Sequence, residues 1–265
     1  MVARYLHGVV RIDDGFFIGE KSLRVVLYIE YDGTNYCGWQ IQKNGVSIQQ
    51  KIEEALEKTL GTQTAVHASG RTDAGVHALC QVAHFDAETD IPADKFSYVL
   101  NVLLPEDIRI KRSFEADGDF HARFCAKGKH YRYIIHNVRQ KSALSRLYCM
   151  NVPVPLELRS MQEAAKYIEG THDFSAFCAA GTDIKGTVRT VERVQVEKHG
   201  EYIHIDVYGS GFLYNMVRII AGTLIAVGKG KMEPQQVGAA IERKDRTLAG
   251  ATAQAQGLFL VEVFY

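Results

Sequence analysis

Segments with the pattern of strands and segments with the pattern of helices alternate along the whole chain, which restricts the fold more than any other feature. Residues 23–31 are a run of β-branched and aromatic side chains that ends in turn residues, as expected of a strand. Ser47 then opens a segment with apolar residues at helical spacing, where Gln50 predicts a capping box and Gly61 predicts the helix end. The later segments continue the alternation, with strands predicted at 76–85, 108–114, 129–135, 188–198, 202–208 and 258–263, and helices at 92–101, 156–168, 212–227 and 234–243.

This pattern predicts an α/β (α+β) fold in which helices flank a mixed, largely antiparallel sheet. Strand, long helix and returning strands follow one another in a similar order in both parts of the chain, so we predict two pseudo-symmetric halves around a central cleft. Residues 1–22 are an N-terminal extension of unknown role, 23–125 form an N-terminal half that carries the loop around Asp73, and 126–265 form a C-terminal half that completes the cleft.

Composition excludes several classes of protein and favours one compartment. Hydrophobic residues make up 46% and charged residues 23% of the 265 residues, which excludes disordered, collagen-like and coiled-coil chains. The longest apolar stretch, 216–227, is too short to cross a bilayer and contains Arg218. The five cysteines show no pairing pattern, and residues 1–22 do not resemble an export signal. We therefore expect reduced thiols, a cytoplasmic protein and no membrane partner.

Charge is uneven although the chain is formally neutral, with 31 basic and 31 acidic residues. Between residues 111 and 146 cations exceed anions by six, because nine basic residues face three acidic ones. Tyrosines and histidines interleave with the cations, and aromatic rings beside cations suit unstacked bases on a charged backbone. The segment predicts a nucleic-acid surface, although a solvated strand edge has the same composition. Its basic residues are Lys111, Arg112, Arg123, Lys127, Lys129, Arg132, Arg139, Lys141 and Arg146.

The sequence SGRTDAGVH at residues 69–77 places charged side chains on a short, glycine-rich connection between two apolar strands. One interpretation is a surface turn in which Asp73 caps its own backbone and Arg71 points to water. The other is a catalytic loop that presents the Asp73 carboxylate. Arg218 favours the second, because a cation within an apolar helix needs a carboxylate partner or an open cleft, and Asp73 is a chemically sensible partner. Otherwise Arg218 lies on the polar edge of its helix and reaches solvent.

Two other classes of function compete. A metal-dependent hydrolase would use Asp73 with the nearby His67, His77 and His84, but their spacing matches neither H-E-x-x-H nor a paired-cysteine site. A non-catalytic RNA-binding module would use the basic segment and would keep every function after Asp73→Ala. Phosphate-binding and dinucleotide-binding glycine motifs do not occur in the sequence.

Five blocks, collinear from residue 30 to residue 261, resemble the TruA family of tRNA pseudouridine synthases. They are EYDGTNYCGWQ at 30–40, GRTDAGVHA at 70–78, DFHARFCAKGKHYRYIIHN at 119–137, GFLYNMVRIIAGTL at 211–224 and KDRTLAGATAQAQGLFLV at 244–261. The resemblance implies the pseudouridine synthase fold and isomerisation of uridine to pseudouridine at positions 38, 39 and 40 of the tRNA anticodon stem-loop. It also implies a homodimer with tRNA as partner. No organic cofactor or metal is implied, because the isomerisation is redox-neutral.

The resemblance also implies roles for four residues. Asp73 occupies the place of the essential carboxylate, for which attack on C1′, addition to C6 of uracil and removal of the 2′ proton all stay open. Arg71 matches an arginine that helps to turn the target nucleotide out of the helix. Tyr131 matches a tyrosine that packs on the uracil, with Tyr133 on the same strand face as a competing candidate. Arg218 matches the basic residue that pairs with the catalytic carboxylate.

Overall fold

A computed structural model describes residues 22–179 and 186–265, so the predicted extension 1–22 lies outside the described residues except for Ser22. The strands in these two ranges form one sheet. They are β1 (Ser22–Tyr31), β2 (His67–Ala68), β3 (His77–Glu88), β4 (Ile108–Ala116), β5 (Gly128–His136), β6 (Met150–Asn151), β7 (Gly170–Asp173), β8 (Val188–His199), β9 (Tyr202–Gly209) and β10 (Leu258–Phe264). The helices are α1 (Ile48–Leu60), α2 (Phe96–Leu103), α3 (Leu158–Lys166), α4 (Met216–Gly228) and α5 (Pro234–Arg243).

The main path through the sheet runs β4-β1-β3-β10-β5-β9-β8-β7, with β2 paired to β3 and β6 paired to β5. Two of these pairings, β3 with β10 and β5 with β6, are parallel, and the others are antiparallel. The prediction of a mixed, largely antiparallel sheet with flanking helices is therefore confirmed.

The parallel pair of β3 and β10 joins the two parts of the chain. Strands from before residue 125 lie on one side of this pair and strands from after it lie on the other. The register places Phe259 opposite His77 and Leu260 opposite Ala78, at the start of both strands. The loop that carries Asp73 ends where β3 begins, so it lies at this junction. The domain boundaries and the pseudo-symmetry stay predictions.

Helix α1 shows how local sequence sets an element. Ile48, Ile52 and Leu56 recur at helical spacing and are fully buried, and Gly61 ends the helix in the left-handed conformation with φ of 75°. Ser47 Oγ accepts a hydrogen bond from the Gln50 amide, as predicted. The predicted capping box also requires a hydrogen bond between the Gln50 side chain and the Ser47 backbone. That part of the prediction is wrong, because the Gln50 side chain donates to Glu54 instead.

Helix α4 begins four residues later than residue 212, where the sequence predicted its start. Asn215 has φ of 58°, a left-handed conformation that an α-helix cannot include, so the helix starts at Met216. Phe212 and Leu213 consequently lie in the loop before the helix. Most side chains of α4 are buried, and Arg218 enters this apolar environment within its first turn.

Three short strands, β2, β6 and β7, were not predicted. Each has four residues or fewer, which is too short to show alternation, and each forms only because a longer strand is available to pair with it. In the described ranges no helix is long and apolar enough to cross a membrane.

Candidate active site

The loop of residues 69–76 joins β2 to β3 and is held by the turn that follows β1. The Thr72 carbonyl accepts a hydrogen bond from the Trp39 amide at 3.0 Å, and Thr72 Oγ1 lies 2.7 Å from the buried hydroxyl of Tyr31. Gly38 permits this approach, because its φ is 106° and a Cβ there would lie 2.6 Å from the Thr72 carbonyl oxygen. The loop is thereby fixed one residue before Asp73.

Backbone groups close the turn at Asp73 and leave its carboxylate for another partner. The Asp73 carbonyl accepts a hydrogen bond from the Val76 amide at 3.1 Å, and Gly75 takes a left-handed conformation with φ of 75°. The Asp73 carboxylate accepts a hydrogen bond from Arg218, with 3.2 Å between Oδ2 and Nη1. The interpretation in which Asp73 caps its own backbone is therefore wrong.

Arg218 reaches Asp73 from the first turn of α4 and is fixed by two further hydrogen bonds. Its Nε donates to the Ala253 carbonyl at 2.8 Å, and its Nη1 also donates to Asn215 Oδ1 at 2.6 Å. Only 18% of the Arg218 side chain and 24% of the Asp73 side chain are exposed. The expected pairing of the two residues is confirmed, whereas a solvent-facing Arg218 is excluded.

The surroundings set the protonation of the pair. Burial raises the pKa of the Asp73 carboxyl above its ordinary value, and the Arg218 charge and hydrogen bond oppose that rise. A carboxylate with a raised pKa is a better base and nucleophile than an exposed one, while its cation partner keeps it ionised. The arrangement suits a carboxylate that must react, rather than one that only stabilises the fold.

Tyr131 and Tyr133 lie on the same face of β5 but have different surroundings. The Tyr133 side chain is fully buried, and its hydroxyl donates to the Gln254 carbonyl at 2.7 Å, so it is a core residue. The Tyr131 ring meets Phe212 edge to face, with 5.3 Å between ring centroids. Burial raises the pKa of Tyr131, and the nearby Tyr31 and Asp73 add to that rise. Tyr131 is therefore the tyrosine of the two that lies near the carboxylate.

Arg71 is exposed on the same loop, two residues before Asp73. The structure thus brings together Asp73, Arg218 and Tyr131, and leaves Arg71 at the surface beside them. Their catalytic and binding roles stay predictions at this point.

Two contacts that hold these groups were not predicted, although Lys129 is among the basic residues of the predicted nucleic-acid surface. Asn215 orients Arg218, and Lys129 Nζ donates to the Ser69 carbonyl at 2.8 Å at the start of the loop. The signals were present: Asn215 precedes Arg218 by three residues, and Lys129 precedes Tyr131 by two, which places both β5 side chains on one face.

The predicted basic segment does not form one surface. Lys111 and Arg112 lie on β4, while Lys129 and Arg132 lie on β5, and three strands separate these two strands. At about 4.8 Å per strand, the two groups are about 19 Å apart. Two of these cations are also paired within the protein, Lys111 with Glu30 and Arg132 with Asp206. The charge excess along the sequence therefore overstates the charge of any one patch.

The histidines of the metal hypothesis are divided between two places. His67 and His84 pack together with 5.3 Å between ring centroids, whereas His77 stacks on Phe259 at 4.7 Å. Across residues 22–179 and 186–265, no group of three or more His, Cys, Asp or Glu side chains has an arrangement that could hold a metal ion.

Comparison with known proteins defines the class to which this fold and site belong. A family model described as "tRNA pseudouridine synthase" matches residues 27–125 and 164–265, which include Asp73, Arg218 and the loop between β2 and β3. The chain belongs to the tRNA pseudouridine synthase family.

Individual relatives agree with that assignment. A protein of Ruminiclostridium cellulolyticum named "tRNA pseudouridine synthase A" is 52% identical over 243 residues, which cover 91% of this chain and 99% of the relative. A protein of the same name from Acetivibrio thermocellus is 52% identical over 241 residues, with the same two coverages. Among solved structures, one titled "Crystal Structure of a Cbf5-Nop10-Gar1 Complex" aligns with 89% of this chain and 49% of its own, at 14% identity and a TM-score of 0.36.

Proposed function

We propose that the protein isomerises uridine to pseudouridine at positions 38, 39 and 40 of the tRNA anticodon stem-loop, with Asp73 as the catalytic carboxylate. The observation that carries this proposal is the mostly buried Asp73 carboxylate, held 3.2 Å from Arg218 in a chain of the tRNA pseudouridine synthase family. The family resemblance of the five sequence blocks supplies the three target positions.

The reaction breaks the bond between N1 of the base and C1′ of the ribose and forms a bond between C5 and C1′. The base must turn between these steps, C5 loses its hydrogen as a proton, and N1 gains one. Asp73 attacks C1′, adds to C6 or removes the 2′ proton, and each of these steps needs an ionised carboxylate with an available lone pair. Arg218 supports this requirement, because its charge favours the ionised form and its fixed guanidinium orients one carboxylate oxygen.

The aromatic residues next to the carboxylate suit the base during this rearrangement. Tyr131 and Phe212 provide an apolar wall, and the uracil ring packs on Tyr131 in our proposal. The Tyr131 hydroxyl then lies in position to help the proton leave C5. Arg71, exposed two residues before Asp73, contacts the RNA backbone and helps to hold the target nucleotide outside the helix.

We also propose that the enzyme acts as a cytoplasmic homodimer with one tRNA in contact with both subunits. The family resemblance supports this proposal. Analytical ultracentrifugation of the purified chain tests it, since a monomer at micromolar concentration that still modifies tRNA would contradict it.

Mapping of pseudouridine in tRNA tests the proposed reaction and its sites together. Native protein and Asp73→Asn are incubated with unmodified tRNAs that carry uridine at 38, 39 or 40, and pseudouridine is located by chemical labelling and reverse transcription. We expect modification at these positions by the native protein and at none by Asp73→Asn. Modification elsewhere would contradict the target, and equal modification by both proteins would contradict the role of Asp73.

A further inference from the structure

Lys129 lies on β5 with its ammonium group at the start of the catalytic loop. Its Nζ donates to the Ser69 carbonyl at 2.8 Å, four residues before Asp73. The approach is close, because a Cβ at residue 70 would lie 2.4 Å from Nζ and would displace the end of the lysine side chain. Lys129 and Tyr131 share one face of β5, so the ammonium lies on the side of the strand that faces the site.

In the part of the chain that the structure describes, the ammonium group of Lys129 pairs with no carboxylate. Within residues 22–179 and 186–265, no carboxylate oxygen lies within 4.0 Å of Lys129 Nζ. Burial and, to a smaller extent, the positive charge of Arg123 together lower the pKa of Lys129 to about 8.

A largely buried cation without a counter-ion is costly, so its presence beside a reactive site requires an explanation. One carbonyl hydrogen bond satisfies one of the three ammonium donors and none of the charge. Arg218, the other cation at this loop, is paired within the protein, because its guanidinium donates a hydrogen bond to the Asp73 carboxylate. Lys129 meets no such carboxylate within residues 22–179 and 186–265, so an anion supplied by the substrate would stabilise its charge.

We propose that Lys129 forms a subsite that binds one backbone phosphate of the RNA next to the target uridine. This inference rests on the proposed function and adds a residue that holds the substrate backbone. A phosphodiester carries one negative charge and two free oxygens, so it can accept hydrogen bonds from the ammonium donors that the Ser69 carbonyl does not use. The Ser69 bond keeps the Lys129 head group at the loop, which fixes this phosphate relative to Asp73.

Neutralisation of single phosphates tests the subsite in the native protein. A series of anticodon stem-loop RNAs carries one uncharged methylphosphonate linkage each, at successive positions around the target uridine, and the dissociation constant is measured for each. We expect one linkage next to the target to weaken binding by about 10-fold to 100-fold, as for other charged hydrogen bonds. Equal effects at all linkages would overturn the proposal.

Two variants connect that linkage to Lys129. Lys129→Met keeps most of the side-chain length and removes the charge, and Lys58→Met makes the same change at an exposed residue of α1. We expect Lys129→Met to lose the sensitivity to the critical linkage and to reduce the slope of log affinity against log salt by about 0.7. Lys58→Met should keep the full sensitivity. A Lys129→Met protein that melts as the native protein does and keeps this sensitivity would overturn the proposal.

The outcome is separable from that of the proposed function. Release of tritium from 5-tritiated uridine in tRNA by the native protein reports the isomerisation itself. If tritium is released but no linkage is critical, the subsite is wrong and the proposed function stands. If no tritium is released, the proposed function is wrong whatever the binding measurements show.

Discussion

Two partly buried cations contact the loop of residues 69–76, and they differ in the group that each contacts. Arg218 at the start of α4 meets the carboxylate of Asp73, whereas Lys129 on β5 meets only the Ser69 carbonyl among the hydrogen bonds described. Within residues 22–179 and 186–265, the first cation is paired with a carboxylate and the second is not. In our proposal Arg218 therefore orients a protein carboxylate, while Lys129 binds a phosphate of the substrate.

After substitution of Asp73 itself, the largest expected effect on the rate comes from removing Arg218, the partner of the Asp73 carboxylate. Arg218→Met should lower the rate of isomerisation by about 100-fold, because the carboxylate loses its orientation and part of its stabilised charge. Lys129→Met leaves that pair intact, so we expect it to act mainly through RNA affinity. Single-turnover rates and dissociation constants for both variants separate the two effects, and loss of affinity alone in Arg218→Met would contradict the comparison.

The pH dependence of the isomerisation rate should show what the Arg218 charge does to Asp73. The pKa of Asp73 is raised by burial and is held down in part by Arg218. In our proposal the ionised carboxylate is the active form, so activity should be highest above this pKa and should fall as pH decreases through it. Without the Arg218 charge, the pKa rises and the acidic limb of the pH–rate profile should move to higher pH in Arg218→Met. Arg218→Lys keeps the charge and should move the limb less.

A smaller effect on rate is expected from the hydroxyl that faces the site. Tyr131→Phe should reduce the isomerisation rate by about 10-fold, the value of one hydrogen bond formed in the transition state. It should leave the melting temperature close to that of the native protein. An unchanged rate would mean that only the Tyr131 ring is used.

The matched variant on the same strand face should show the opposite pattern. Tyr133→Phe removes the hydrogen bond to the Gln254 carbonyl and should reduce the free energy of unfolding by about 1 kcal/mol. The rate per folded molecule should stay at the native value. Thermal or urea unfolding measures the first quantity, and a reduced rate in fully folded protein would contradict the assignment of Tyr133 to the core.

Local chemistry explains which parts of the structure could be predicted from the sequence. Helix α1 was predicted because Ser47, Gly61 and the apolar spacing act within the segment itself, and α5 begins and ends at the predicted residues. The start of α4 was placed too early, because the apolar run includes Phe212 and the left-handed conformation of Asn215 has no clear sequence signal. Strands such as β2 depend on a distant partner and could not be predicted locally.

In the candidate site, too, some features could be predicted from local sequence and others depend on contacts between distant residues. The pairing of Asp73 with Arg218 was predictable, because an arginine in an apolar helix demands a partner. The contact of Lys129 with this loop was not, since it joins Lys129 to Ser69, 60 residues away in sequence. The family resemblance selected Tyr131 over Tyr133, and the hydrogen bond of Tyr133 to the Gln254 carbonyl gives the physical reason that Tyr133 is a core residue.

The central claim is that the Asp73 carboxylate carries out the isomerisation, and tritium release tests it most directly. tRNA that contains 5-tritiated uridine is mixed with excess native protein or Asp73→Asn, and released tritium is followed under single-turnover conditions. Asp73→Asn must first be shown to melt as the native protein does and to bind tRNA. We predict stoichiometric release by the native protein and none by the variant. Release by a folded Asp73→Asn at the native rate would contradict the account.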